Sequence, residues 1–318
     1  VTSLVVVGSL NVDLSIRVPR HPAPGETLLG RSLKMLPGGK GANQALAAAR
    51  LGAPTTMVGA VGDDPQAEIA LRLLREAGAD LTHILQVPGP TGLARVEVDD
   101  AGENTIVVIP GANESVTAAA LRPALGTIAA ADVVVLQGEI PASGIAAAAG
   151  AATGRVVLNL APVVELPAET ILRADPLVVN EHEGRLVLAQ LGGPAAAAEE
   201  PEQVIRALHR AGVRSVIMTL GGAGALILGG APAQESLLRI AAPVVTVADT
   251  TGAGDAFTGA LAARLAAGDP LDRAAAYAVR VGSYTVQREG AQNSYPGSAS
   301  PLPELPEPPE AGREETSN

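Results

Sequence analysis

The feature that most constrains this chain is a rhythm: short β-branched runs alternate with Ala/Leu-rich stretches of helical period. Strand candidates are Leu4–Val7, Thr56–Val61, Val133–Gln137, Val156–Leu160, Leu177–Val179 and Ser215–Thr219. Between them lie helical segments such as Ala42–Leu51 and Gln66–Ala77. Each is followed by a glycine, Gly52 or Gly78, suited to close a helix in the left-handed region. Strands that are apolar throughout are covered on both faces, and their alternation with helices implies a parallel sheet. The expected fold is therefore α/β, a doubly wound and mainly parallel sheet flanked by helices.

Two regions break the rhythm. Asp13–Val18 and Thr27–Leu36 mix polar and apolar residues, and so do Leu93–Asp99 and Asn104–Pro110, the last pair joined by a hairpin-type turn at Asp99-Asp100-Ala101-Gly102. They predict a small antiparallel sheet set into the body within about 13–36 and 93–110, for use as a lid or a dimer surface. The body is expected over residues 1–296. Residues 297–318, rich in Pro and Glu, read as a disordered acidic tail.

Composition removes several kinds of chemistry. No cysteine is present, which excludes thiolate catalysis and cysteine-ligated metals. The four histidines (His21, His83, His182, His209) fall at no ligand spacing, and no G-x-S-x-G occurs. A net charge of −11 without a Lys/Arg block speaks against nucleic-acid binding. The longest apolar runs are too short to span a membrane, and the chain opens on a strand rather than a signal peptide, so a soluble cytoplasmic protein is expected. Aromatics are limited to Phe257, Tyr277, Tyr284 and Tyr295, a poor supply for stacking a base.

In open parallel sheets, ligands bind beyond the carboxyl ends of the strands. Polar or glycine-rich groups gather there. Leu4–Val7 leads to Asn11 and Asp13, Val133–Gln137 to Glu139, and Leu177–Val179 to Asn180 and Glu183. Ser215–Thr219 leads into Leu220-Gly221-Gly222-Ala223-Gly224, and a fifth candidate strand, Val244–Val247, leads to Asp249. Gly38-Gly39-Lys40-Gly41-Ala42-Asn43 opens a helix whose first N–H groups are expected to be open to a ligand. Neither a P-loop nor a G-x-G-x-x-G after the first strand is present. Phe257, Leu261 and Leu265 mark a helix from about Ala253 to Leu265 with one buried stripe. Its first turn, Gly252-Ala253-Gly254, favours negative charge, and Asp255 sits within it. An aspartate there is more often a structural group than a catalytic one, and the glycines before it, which a capping aspartate does not need, shift that balance toward the second.

The segment Gly38-Gly39-Lys40-Gly41-Ala42-Asn43-Gln44-Ala45 and the segment Asp249-Thr250-Thr251-Gly252-Ala253-Gly254-Asp255-Ala256-Phe257, about 200 residues apart, resemble the two signatures of the PfkB carbohydrate kinase family. The resemblance runs from Leu4 to about Pro296. It implies a ribokinase-like fold with a β lid over a sugar site, the lid often forming a homodimer. It also implies that Asn11, Asp13, Gly39, Lys40, Asn43 and Glu139 contact the sugar, and that Asp255 is the catalytic base beside an anion hole at Gly252, Ala253 and Gly254. Asn180, Thr219, Leu220, Gly221, Gly222, Ala223, Gly224 and Gly254 would bind nucleotide, and Glu183 would orient Mg2+ through water. Asp249, Thr251, Thr285, Arg288, Gly290 and Ser294 would hold an activating monovalent cation, K+. Two departures from relatives stand out: the 221–224 loop is unusually bare, and Val279 replaces a histidine found in some relatives.

Within the family, a nucleoside kinase would need aromatics in the lid or the N-terminal half, and a sugar-phosphate kinase more cations than Lys40. Asn11-Val12-Asp13 with the Gly-Gly-Lys-Gly-Ala-Asn segment fits ATP-dependent phosphorylation of the 5-hydroxyl of D-ribose. Fructokinase and 2-deoxyribokinase activities are the alternatives, followed by a silent sugar-binding regulator and, from another class, a dinucleotide-binding oxidoreductase.

Overall fold

The structure, a computed structural model, describes residues 3–101, 103–193, 200–229 and 236–306. Its centre is a nine-stranded sheet. In chain order these strands are β1 (Leu4–Val7), β4 (Thr55–Gly62), β5 (Asp80–Val87), β8 (Val133–Gln137), β9 (Arg155–Asn159), β10 (Ala174–Asn180), β11 (Ser215–Thr219), β12 (Ala225–Gly229) and β13 (Ser236–Ile240). Across the sheet the order is β13-β12-β11-β10-β9-β8-β1-β4-β5. All neighbours from β11 to β5 are parallel, whereas β12 and β13 add an antiparallel edge. After β1 the chain winds one way through β4 and β5, then returns through β8 on the other side of β1. The crevice at such a reversal is where a doubly wound sheet accepts ligands.

Alternate strand residues feed two cores, as the two-residue period of a strand requires. Leu4 and Val6 point into the layer containing α1 (Lys40–Arg50), α2 (Gln66–Glu76), α8 (Ala253–Ala266) and α9 (Leu271–Thr285). Val5 and Val7 point into the opposite layer, with α3 (Leu125–Ala130), α4 (Ala142–Ala151), α5 (Ala168–Leu172), α6 (Glu181–Gln190) and α7 (Pro201–Arg210). Gly52 and Gly78 do follow α1 and α2 with positive φ. Helix α8 departs from the one-stripe expectation, since every residue from Asp255 to Ala263 is buried. It runs through the core between α1 and α9, and Ala and Gly let it pass close. A Cβ at Gly259 would stand 2.4 Å from the Gln44 carbonyl oxygen.

The small sheet comprises β2 (Asn11–Arg17), β3 (Ser32–Gly38), β6 (Gly92–Val98) and β7 (Asn104–Ile109), in the order β3-β2-β6-β7. It is mixed rather than antiparallel. β2 pairs with β6 in parallel, because the chain passes through the body (β4, α2, β5) before β6 is laid down. β3 and β7 pair antiparallel on either side.

Two further expectations are corrected. Residues 244–247 form no strand: Val244 is fully exposed and Val247 is 58% exposed. β12 and β13 occupy that edge, so no parallel place remains. Just beyond the segment, Ala248 and Asp249 donate to the Val286 carbonyl. The stretch after residue 297 begins docked rather than loose. Arg280 donates to the carbonyls of Pro303 and Leu302 at 2.8 and 3.2 Å, and Leu302 and Leu305 pack on the core. Leucines spaced among the prolines supply the apolar contacts. Residues 307–318 lie outside the described residues. No helix among the described residues is long and apolar enough to cross a membrane.

Candidate active site

Two helix N-termini, those of α1 and α8, meet above the carboxyl ends of β1 and β8, and they differ in a decisive way. At α1 the first N–H groups are already taken. Lys40 N donates to Glu139 Oε2 at 3.0 Å, Gly41 N to Ser9 Oγ at 3.2 Å, and Ala42 N to the Ser9 carbonyl at 2.9 Å. Ser9 Oγ in turn donates to Glu139 Oε2 at 2.6 Å. The expectation of open N–H groups at this end is therefore wrong: Glu139 closes it from across the sheet. Gly39 holds φ 88° to admit this turn, and a Cβ there would lie 2.8 Å from Asn11 N.

At α8 the opposite holds. Gly252 is left-handed at φ 73°, and only Ala253 N of the first turn is engaged, donating to the Thr250 carbonyl at 3.2 Å. Among the described residues the N–H groups of Gly252, Gly254 and Asp255 have no hydrogen-bond partner. The positive end of a fourteen-residue helix thus presents unsatisfied donors, a site made for an anion. Tyr295, itself buried, donates from its hydroxyl to the Gly252 carbonyl at 3.2 Å and pins the turn.

Asp255 is 6% exposed and bound through both oxygens. Oδ2 accepts from Asn43 Nδ2 at 2.8 Å, and Oδ1 from Gln44 Nε2 at 2.9 Å. Its side chain caps nothing: Gly252 is the N-cap residue, and no side chain accepts from the N–H groups of the first turn. A carboxylate in that place, bound only by amide donors, keeps lone pairs for an incoming proton.

On β2, Asn11 and Asp13 share a face by strand alternation. Asn11 Oδ1 accepts from Asn113 Nδ2 at 2.8 Å, so Asn11 offers its NH2 outward as a donor. Gly38 and Gly92 make room: a Cβ at the first would meet the Asp13 carboxyl at 2.2 Å, and one at the second would meet Asn11 Oδ1 at 2.2 Å. Asp13 is pushed up to about 7 by burial, then by Glu139 and Asp255, with Lys40 opposing. Lys40 is raised by the charge of Asp255 against burial, with Glu139, Glu183 and Asp13 adding to it. Three carboxylates and one ammonium therefore share one cleft, an arrangement of matched donors and acceptors for hydroxyl groups.

Farther along the same edge, Asn180 and Glu183 form a reciprocal capping box on α6, both bonds at 2.8 Å. That commits Glu183 Oε2, while Oε1 has no hydrogen bond among the described residues. The segment from Thr219 to Gly224 makes an exposed 3-10 turn at Gly221–Ala223. Asp249 Oδ1 accepts from Thr251 N and Oγ1 at 2.9 and 2.6 Å, and Oδ2 from Gly290 N at 2.8 Å. Thr285 Oγ1 and Ser294 Oγ are buried and donate to the carbonyls of Val281 and Ala291. Arg288 lies over Tyr284, 3.6 Å from its ring centre. Sequence reasoning missed Ser9, Gln44, Asn113, Gln137, Asn159 and Gln292, all buried polar residues of this cleft's wall.

The sequence matches the profile of the pfkB family carbohydrate kinases over residues 1–297. The chain belongs to that family. It is 37% identical to the ribokinase of Bacillus subtilis, over 92% of this chain and 96% of that protein. The crystal structure of ribokinase from Thermotoga maritima superposes with a TM-score of 0.86 at 30% identity, covering 94% of this chain and 97% of that one. The ribokinase of Arabidopsis thaliana, complexed with ribose and ATP, gives a TM-score of 0.83 at 32% identity over 93% and 96%. The chain is thus a carbohydrate kinase, with the family's mainly parallel body and small β lid.

Proposed function

We propose that this kinase transfers the γ-phosphoryl group of ATP to the 5-hydroxyl of D-ribose, giving ribose 5-phosphate. The observation that carries the reading is the pairing at α8: open N–H groups and a buried, amide-held carboxylate, Asp255, on the same helical turn. In this reaction the sugar oxygen attacks the γ-phosphorus in line, its proton passes to Asp255, and the bond to the β-phosphate oxygen breaks to release ADP. The N–H groups of Gly252, Gly254 and Asp255, with Lys40, face the charge that spreads over the migrating phosphoryl oxygens. Asn11, Asp13, Glu139 and Lys40 supply alternating donors and acceptors for the sugar hydroxyls, with Gly39 and Asn43 lining the same cleft. Asn180 and the turn from Thr219 to Gly224 take the nucleotide.

Glu183, with one carboxylate oxygen uncommitted, would hold a water of the Mg2+ that accompanies ATP, and that ion would supply charge neutralisation for the phosphates. The oxygen set of Asp249, Thr251, Thr285, Ser294 and the carbonyls near Arg288 and Gly290 is chemically suited to K+. The resemblance of the chain to ribokinases across bacteria and plants supports ribose over other sugars. So does Lys40 as the cleft's cation beside three carboxylates, an unfavourable place for a phosphorylated sugar. ADP release measured with ribose, 2-deoxyribose, fructose and adenosine, with and without K+, tests the reading. Ribose is expected to give the highest kcat/KM, and K+ to raise it. Turnover of fructose but not ribose would overturn the substrate assignment.

The lid supports a homodimer. By register, Leu33 and Met35 of β3 face the same side as Val107 and Ile109 of β7, opposite Asp13, and all four are exposed. They lie on the two outer strands, with Leu14, Ile16 and the Arg95–Glu97 pair between them, and apolar residues left in water on a sheet face are commonly covered by a second copy.

A further inference from the structure

Behind Asp255 lies a buried chain of amides that the reaction as described does not use. Gln44 is fully buried and spends its NH2 on two acceptors, Asp255 Oδ1 and Asn159 Oδ1, each at 2.9 Å. Its Oε1 accepts from Gln137 Nε2 at 2.8 Å. The two ends of a side-chain amide have nearly the same shape, and here the partners decide which is which. Asn159 donates from Nδ2 to the Val178 carbonyl at 3.0 Å, and a carbonyl can only accept. Asn159 must therefore turn its oxygen to Gln44, and Gln44 must answer with its NH2. That same NH2 then has its second hydrogen directed at Asp255. The polarity of the chain runs from a backbone carbonyl of β10, through the end of β9, to the carboxylate on α8.

We propose that Gln44 is a positioning residue for phosphoryl transfer: without reaching either substrate, it fixes the rotamer of Asp255. This rests on Asp255 being the base. With Asn43 donating to Oδ2 and Gln44 to Oδ1, two donors from adjacent residues of α1 hold the carboxylate in one orientation. Because Gln44 is pinned at three points, it cannot turn its oxygen toward Asp255 without breaking the bond to Asn159. The charged and titratable groups facing Asp255 are Lys40 from α1, Asp13 from β2, Glu139 beyond β8, and Tyr295. None of them is altered by a change at Gln44. The room for this relay is built in, since a Cβ on Gly8 would lie 1.9 Å from Gln137 Oε1.

The test is Gln44→Met, close in volume and without donors, in the full chain. Steady-state kinetics are followed from pH 5 to 9 with ribose and ATP. The expected result is a kcat lower by roughly 10- to 100-fold, the worth of one hydrogen bond to a charged group. KM for both substrates stays within a few-fold, with kcat taken per ribose-binding site. A merely structural role would lower the number of ribose-binding sites and leave kcat per site unchanged. Unchanged kcat per site in folded Gln44→Met would overturn the proposal. If that variant does not fold, Asn159→Ala removes the acceptor that orients Gln44, together with the donor to the Val178 carbonyl. The same loss of kcat per site is expected there, and its absence is equally decisive. Asp255→Asn run alongside separates the two readings. If it abolishes turnover while both other variants behave as the unaltered protein, positioning by Gln44 fails alone. If it leaves turnover intact, the assignment of the base fails as well.

Discussion

Asp255 sits where an aspartate would be structural in most helices, in the first turn, yet its oxygens bond side chains of α1 rather than the turn itself. Asp13, across the cleft, shows what crowding three carboxylates costs. Its folded value of about 7 lies above the ordinary 3.8, so an unfolded chain gives up this proton first as the pH rises. Stability from this group is complete below about pH 4 and is lost progressively as the pH climbs through 7. Asp13→Asn, which carries no proton to lose, should therefore stabilise the ligand-free protein increasingly from pH 5 to 8. The gain reaches about 4 kcal/mol at most, since each tenfold difference in proton affinity between the folded and unfolded chain is worth about 1.4 kcal/mol. Thermal unfolding of both proteins across that range checks it, and a Tm difference independent of pH would contradict it. The same substitution should weaken sugar binding, because an acceptor for a hydroxyl is gone.

At the scale of elements, the two helix N-termini divide the work. α1 is closed by Glu139 and Ser9, whereas α8 stays open, and in the proposed function that open end receives the phosphoryl charge. Gly252 is the residue on which the second depends. Ala at φ 73° costs about 1–2 kcal/mol by itself. Its Cβ would also stand 2.6 Å from the Ala291 Cβ and 2.7 Å from the Tyr295 hydroxyl. Gly252→Ala should lower Tm and reduce kcat far more than ribose affinity, as read by calorimetry and initial rates; an unchanged kcat would argue that the turn is not the anion site. Much of this is legible in the sequence. Apolar runs and helix-closing glycines mark six of the nine main strands and α1, α2 and α8, and the glycines around Asp255 mark the anion turn. What is not legible has physical causes. β12 is a buried apolar run and β13 a half-exposed one, and the exposed 244–247 run looks no different from them in sequence. The closure of α1 depends on Glu139, 99 residues away, a pairing that no local pattern carries. The amide relay is hidden because Gln44 and Gln137 look like ordinary polar residues until the sheet brings them together.

At the scale of the whole molecule, the sheet reversal beside β1 gathers residues from both ends of the chain into one cleft, and the lid covers it from strands that begin at Asn11. The exposed apolar residues on the lid's two outer strands make a prediction of their own. Leu33→Lys with Val107→Lys should convert a dimer to a monomer in light scattering at micromolar concentration while leaving the body's Tm within a few degrees. A monomeric unaltered protein would remove the dimer from the account. The claim on which the rest depends is that Asp255 takes the proton of the ribose 5-hydroxyl. The direct measurement is the single-turnover rate of ribose phosphorylation by Asp255→Asn at saturating ATP, with ribose affinity measured on the same protein. The account predicts a rate lower by about 10²- to 10⁴-fold with affinity little changed, the range for loss of a general base. A rate within about three-fold of the unaltered protein, less than half a power of ten, would contradict it.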